Sequence, residues 1–415
     1  MVDLAIVGHI GNETYIGAIA LGTTIFNLIY WNFGFLRMGT SGLAAQAYGA
    51  GDNKEAMRIL VRGLTIAICA AALLIALQYP IALLSDAILN CSDETLNLTL
   101  SYFYVRIWAA PATLGLYAIK GWFIGMQDSV SSMLTDLTVN IVNIAASIIL
   151  SLGIGNWDGL GFVGIPLGTV IAQYSGLLLA LGICGFKYRV KIAGQAGNDG
   201  TFGAFFKLNT DLFVRSLCFT GIYLGYTIIA SRYGEVMLAS ANIMMNLLMI
   251  FSYFTDGFAY AGEALTGRFI GERDREMVRR TVVQTFKWSF GVAGIWMLIY
   301  GLAGPGMLRL MTDDAVVLGA CRTYLPWLLA MPLVGCAAFT WDGIYIGATA
   351  SHAIRNAMIW ALAAFLGVWL AGAVLAPGIS SPAAIHLLMA AYFAHLVART
   401  VYLTIDYRDT FRLYS

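Results

Sequence analysis

Four polar side chains, Asp136, Asn140, Asn143 and Ser147, follow one another at intervals of 4, 3 and 4 through an otherwise apolar run. On a helix those intervals put all four on one side. Their carboxylate, amide and hydroxyl oxygens could take up a proton or a small cation, and the side that carries them must face protein or water, not lipid. A second stripe runs through Asn242, Asn246, Tyr253, Asp256, Tyr260 and Glu263, interrupted by Met249, and its two acids seven residues apart suggest a cavity wall. A third, Asn27, Tyr30, Gly34, Arg37 and Ser41, sets a cation in the first half of the chain close to where the second half carries acids. Lys120 and Asp342 are further charges inside apolar runs; both stand toward the cytoplasmic ends of their segments, where a structural role is expected. Asp211 and Arg215, four apart, are expected to pair with each other. Asp3 stands near the start of "MVDLAIVGHIG", a run too short to cross a membrane. The plainer reading of all these groups is hydrogen bonding and ion pairing that fix helix packing.

Other chemistries find no support in the residue pattern. The four histidines (His9, His352, His386, His395) show no HxxxH or HxxE spacing, and the six cysteines are scattered with no CxxC, so neither a metal site nor a disulfide framework is expected. No nucleophile and base are placed together, "GTSG" around Ser41 included, so the chain is not expected to be an enzyme. A net charge of +1, with the basic residues in short loops, excludes nucleic acid as a partner.

The elements that must position these residues follow from composition. Of 415 residues 59% are hydrophobic and 11% charged, far below the roughly 25% charged of soluble domains. Apolar segments recur near 1–9, 16–47, 58–86, 98–126, 129–152, 159–187, 208–232, 236–268, 280–308, 319–347, 352–376 and 383–404, and their lengths fit membrane helices rather than barrel strands. Basic loops after the second, sixth and eighth segments belong inside the cell, which puts both termini in the cytoplasm. "KGWFIGMQDS" (120–129) aligns with "DGIYIGATAS" (342–351), and "AYGAGDNKEAMR" (47–58) with "FIGERDREMVRR" (269–280), both at an offset of 222, as 343 minus 121. Two halves of six helices with one shared orientation make a parallel repeat flanking a central cavity. The expected division is an N-terminal lobe over 1–192, a cytoplasmic linker over 193–207 and a C-terminal lobe over 208–415. By the same offset the chain is expected to start inside its first helix.

"VDLAIVGHIG", "FLRMGTSGLAAQAYGA", "LNTDLFVRSL", "TDGFAYAGEA" and "WDGIYIGAT" resemble, in order and along essentially the whole chain, stretches of the multidrug and toxic compound extrusion (MATE) transporters, in their DinF-like branch. The resemblance implies an all-α membrane protein of about twelve helices in two six-helix lobes around a V-shaped cavity, exporting amphipathic, often cationic compounds in exchange for protons or sodium. It implies that Asp3 is the first-helix carboxylate that binds the coupling ion, with Asn143 and Thr169 lining the same pocket. Where many relatives have a second acid, this chain has Ser147, which favours protons over sodium, although a weaker sodium site near Asp3 stays open. Small molecules and the lipid bilayer are the expected partners, a monomer in a bacterial-type inner membrane the expected state, and no cofactor is expected. The rival is a flippase for a lipid-linked saccharide or another lipid, which would line its cavity with several Arg and Lys to hold diphosphate; Arg37 and Lys120 are the candidates.

Overall fold

The computed structural model describes residues 13–88, 92–189, 202–375, 378 and 380–412, where the regular structure is helical apart from one isolated bridge between Ile154 and Trp157. Two compact units divide the chain, one of residues up to 44 with 53–203, the other of 45–52 with 204 onward. The first unit carries α1 (Glu13–Asn32), most of α2 (Phe35–Gly49), α3 (Asn53–Ala76), α4 (Gln78–Ile88), α5 (Asp93–Arg106), α6 (Ala110–Gly125), α7 (Ser129–Leu152) and α8 (Gly164–Phe186). The second carries α9 (Phe202–Ser231), α10 (Glu235–Gly271), α11 (Arg275–Met311), α12 (Ala315–Thr323), α13 (Leu325–Gly347), α14 (Ser351–Leu375) and α15 (Ser381–Arg412).

Local sequence sets where these helices begin, and it does so twice. Glu13 and Glu235, Asn53 and Arg275, Asp93 and Ala315, and Ser129 and Ser351 all open helices, each pair 222 residues apart, as 275 minus 53. Capping side chains explain several of the starts: Ser92 accepts from the Thr95 amide, Asp128 from Ser131, Asp274 from Met277 and Asp314 from Val316 and Val317. Each cap satisfies amides that the first helical turn leaves without a partner. The turns repeat as well. Gly51 (φ 69°) and Arg273 (φ 59°), and Gln127 (φ 60°) and Thr349 (φ 55°), are left-handed at the same offset.

Ten stretches among the described residues are long and apolar enough to cross a bilayer. The expected segment 98–126 is not one of them, because it is broken: α5 stops at Arg106, a 3-10 turn spans Ile107–Ala109, and α6 restarts with Pro111 in its first turn. Proline lacks an N–H and suits a first turn, which favours a restart of the helix at this point. The counterpart 319–347 divides too, between α12 and α13 with Pro326 in the new first turn, although seven residues earlier by the repeat, and it carries Pro332 inside α13. The first expected segment, 1–9, lies outside the described residues.

Large apolar side chains stand open on the outer faces, among them Ile141, Leu178, Leu302 and Leu310. Soluble proteins rarely expose such an amount of apolar surface, whereas lipid tails cover it without cost. Inside the first unit Phe26, Tyr102, Phe103 and Trp122 are fully buried, and Trp122 Nε1 donates to the Ala56 carbonyl at 2.7 Å. The second unit has its own core around Tyr226, Phe251, Tyr300, Tyr324 and Phe365. Within that unit the ends of α2 and α10 meet backbone to backbone: a Cβ on Gly49 would lie 1.8 Å from the Arg268 carbonyl oxygen, and one on Gly271 2.1 Å from that of Gln46. Those two glycines are repeat equivalents, so the contact is reciprocal. Gln46 Nε2 adds bonds to the Gly347 carbonyl at 3.0 Å and to Thr349 Oγ1 at 3.2 Å.

Candidate functional site

In the first unit α1, α5, α6, α7 and α8 line a polar, partly open cavity of about 220 Å³. α1 contributes Asn27 and Tyr30, α5 Arg106, α6 Thr113, Tyr117 and Lys120, α7 Asp136, and α8 Thr169 and Gln173. Helical spacing explains the selection: Thr113, Tyr117 and Lys120 fall at intervals of 4 and 3 on one face of α6, as Asn27 and Tyr30 do on α1. Lys120 Nζ meets Asp136 Oδ1 at 2.6 Å, so the expected acid of α7 is already paired. Arg106 donates to the Tyr102 hydroxyl and lies over the rings of Phe26 and Tyr102, 5.0 Å and 5.4 Å from their centroids.

The polar face of α7 is shared among different tasks. Asp136 lines the cavity, Asn140 stands exposed, and half-buried Asn143 donates from Nδ2 to Thr169 Oγ1 at 3.0 Å. Ser147 is wholly buried, its Oγ donating to the Ile165 carbonyl at 3.4 Å. There α7 and α8 touch so closely that a Cβ on Gly168 would come 2.5 Å from Ser147 Oγ. Of the expected residues, the fold thus gathers Asn27, Asp136 and Thr169 at one cavity, brings Asn143 to its edge through Thr169, and assigns Ser147 to packing. Arg37 on α2 is half-buried, and its backbone carbonyl would lie 2.2 Å from a Cβ on Gly121 of α6. Asp3 lies outside the described residues.

In the second unit the stripe on α10 runs from half-buried Asp256 and Tyr260 to Glu263, which has no exposure at all, and α13 packs on it so tightly that a Cβ on Gly347 would sit 2.2 Å from the Glu263 carbonyl oxygen. Asp342 is the centre of a buried ion cluster, its Oδ2 accepting from Arg215 and from Arg399, each at 2.5 Å. Arg399 also donates to the Ala338 carbonyl at 3.1 Å, and the buried His395 stands one turn away on α15. The expected Asp211 to Arg215 pairing gives way to pairing across helices. Asp211 takes Arg355 at 2.6 Å and Ser351 Oγ at 2.8 Å, while Arg215 reaches Asp342. Once the helices pack, a buried carboxylate and guanidinium meet wherever the bundle brings them, and an i, i+4 interval is a weak preference beside that.

Between α6 and α7, Asp128 collects Ser131 Oγ at 2.6 Å, Lys187 Nζ at 2.7 Å and Tyr188 Oη at 2.7 Å. Burial alone would raise its carboxyl, but the bonds from Lys187, Ser131 and Tyr188 prevail and hold it at about 2. Reading the sequence alone overlooked Arg106, Arg355 and Arg399. The signal was present, since each is a guanidinium inside a run of apolar residues, where it costs energy unless partnered.

Membrane-crossing helices in a twofold repeat, with a polar cavity set among them, are the architecture of a transporter. The MatE family model matches residues 1–149 and 212–371, and the chain belongs to that family of multidrug and toxic compound efflux transporters, as an integral multi-pass membrane protein. It is 33% identical over 371 residues to DNA damage-inducible protein F of Escherichia coli (strain K12), a likeness covering 88% of this chain and 80% of that protein. With the probable multidrug resistance protein NorM of Rhizobium meliloti (strain 1021) it shares 22% identity over 320 residues, 75% of this chain and 67% of that one. Its fold matches a crystal structure of MATE in the bent conformation with a TM-score of 0.87 at 16% identity, over 100% of this chain and 92% of the other.

Proposed function

We propose that this chain is a secondary active antiporter that exports amphipathic compounds in exchange for protons. The observation that supports it best is the polar cavity of about 220 Å³ set among apolar helices in the first unit, a place where a membrane protein keeps hydrogen-bonding groups only at a cost. Thr169 ties that cavity to Asn143. Asp3, which lies outside the described residues, is the proposed proton carrier. Ser147, buried against Gly168, supplies no second negative charge at its position, which favours protons over a two-carboxylate sodium site. In this reading the protein acts as a monomer in a bacterial-type inner membrane with both termini cytoplasmic, uses no cofactor, binds no nucleic acid, and has small molecules and lipid as its partners.

A flippase for a lipid-linked diphosphate fits less well. With Lys120 committed to Asp136, Arg106 is the cation left to the cavity among the described residues. The experiment is dye efflux from proteoliposomes under a pH jump and, separately, a sodium jump. Export driven by the pH jump alone is expected; export that answers only to sodium overturns the proton reading.

A further inference from the structure

In the second unit α11 and α15 both pack against α13, and a side chain of α13 fills the space between them. The Trp341 ring lies 4.7 Å from that of Phe286 on α11 and 5.3 Å from that of Tyr407 on α15, centroid to centroid. Its Nε1 donates to Thr404 Oγ1 on α15 at 2.9 Å, so the indole is fixed in place. Trp341 is buried and forms the floor of a groove whose walls are the two flanking helices. Phe290, one turn beyond Phe286 and stacked on it, and Val401, just before Thr404, stand open on those walls at 42% and 50% exposure. Toward the middle of the bilayer the groove is therefore apolar.

Toward the membrane surface the same groove is basic. Arg279 precedes Phe286 by seven residues, which puts it on the same side of α11, and it stands near enough to Tyr407 for its charge to act on the phenol. Arg408 follows Tyr407 and continues the exposed side of α15 that carries Val401 and Thr404. Lys287 extends the lipid-facing stripe of Ile295, Leu298 and Leu302, a position from which a lysine reaches back to the head groups. All three cations are exposed, and among the described residues none of them forms an ion pair. The neighbouring acids are engaged elsewhere: Glu272 holds Arg268 at 2.8 Å, Glu276 holds Arg280 at 2.9 Å, and Asp406 takes the Thr410 hydroxyl at 2.5 Å. Asp409 falls about 100° further round α15 than Arg408. The depth fits as well, because the 37 residues of α11 extend roughly 55 Å against a hydrocarbon core of about 30 Å, so its first turns stand among the head groups.

We propose that the groove between α11 and α15 holds an anionic phospholipid, its phosphodiester between Arg279 and Arg408 and one acyl chain laid over Trp341 between Phe290 and Val401. Guanidinium forks suit phosphate oxygens, and basic pockets between membrane helices select acidic head groups. A zwitterionic head would bring a further cation to a place where Arg279, Arg408 and Lys287 are already unmatched. A free phosphate would satisfy the two arginines and leave the apolar walls empty. The site is separate from the first-unit cavity and does not depend on the export reading.

The test uses the full chain in a neutral detergent and native mass spectrometry with phosphatidylglycerol and phosphatidylcholine of identical acyl chains. Phosphatidylglycerol is expected to be the lipid retained. Arg279→Gln and Arg408→Gln should each weaken it about fivefold, the share of one cation near an anionic lipid, and together about 25-fold. Arg309→Gln, exposed at the opposite end of α11, should leave it unchanged. Arg279→Lys with Arg408→Lys keeps both charges, serves where the double glutamine variant does not fold, and should retain most of the preference. Equal retention of the two lipids by the wild type overturns the proposal. So does a loss from Arg309→Gln as large as that from Arg408→Gln, or binding by the double glutamine variant equal to wild type. Glycerol phosphate, which has the head without the chains, should not displace the lipid; displacement would make a free phosphate the occupant and reject the lipid. Bromine atoms on the acyl chains of phosphatidylglycerol should quench the tryptophan fluorescence of wild type more than that of Trp341→Phe. Equal quenching of the two would deny the chain its seat on Trp341.

Discussion

Replacing Asp128 by Asn keeps the shape of the junction between α6 and α7 and removes its negative charge. In the folded protein the carboxyl is held at about 2 against an ordinary 3.8, and at about 1.4 kcal/mol per pH unit the charged form stabilises the fold by an amount on the order of 2–3 kcal/mol. Lys187 is half exposed, and solvent screening of its share trims that figure toward 1 kcal/mol. The sign follows from the depressed value. The contribution is complete above the unfolded pKa of 3.8 and disappears as the pH falls from there toward 2. Thermal unfolding of wild type and Asp128→Asn in a neutral detergent, measured from pH 7 down to pH 2.5, reads it directly. The variant should unfold a few degrees lower at pH 7, and the gap should narrow below pH 4. Other carboxylates titrate in the same range, but they do so in both proteins and drop out of the difference. A gap that is absent at pH 7, or that stays constant down to pH 2.5, would refute the view that Lys187, Ser131 and Tyr188 stabilise the charged carboxyl.

Asp342→Asn leaves the buried guanidiniums of Arg215 and Arg399 without their shared counter-charge, and a loss of about 3–5 kcal/mol is expected; recovery of folded yield on adding Arg399→Leu would tie the loss to the unpaired charge. Gly271→Ala drives a Cβ to within 2.1 Å of the Gln46 carbonyl oxygen, and Gly49→Ala brings one to 1.8 Å from that of Arg268, so each should cost about 1–3 kcal/mol of stability, read as a lower unfolding midpoint. Unchanged midpoints in both would show that the ends of α2 and α10 separate freely. Gly168→Val should destabilise the first unit by a similar amount through its contact with Ser147, checked by folded yield after purification, and a fully stable variant would contradict the close approach of α7 and α8.

The amino-acid sequence by itself determined the helices, their repeat and the membrane setting, because these depend on local quantities. Apolar length selects spans, capping side chains such as Asp274 and Asp314 start helices, and proline in a first turn favours a restart, so the starts at Asn53 and Arg275, or Ser129 and Ser351, recur at the offset visible in the glycine motifs. The polar face of α7 was equally legible, since helical spacing alone puts Asp136, Asn140, Asn143 and Ser147 on one side. What that face does was decided by tertiary structure. Ser147 meets the bare backbone at Gly168 and becomes a packing contact, while Asp136 meets Lys120 from α6 and is neutralised there. Pairing of buried charges was settled the same way: Asp211 goes to Arg355 on α14, and Arg215 and Arg399 converge on Asp342. In a low-dielectric interior a charge is stabilised by whichever opposite charge lies nearest in space, and that proximity joins residues far apart in the chain. The cavity holding Arg106 and Tyr30 has the same origin, for it is lined by five helices, and no single one of them carries the pattern that makes it.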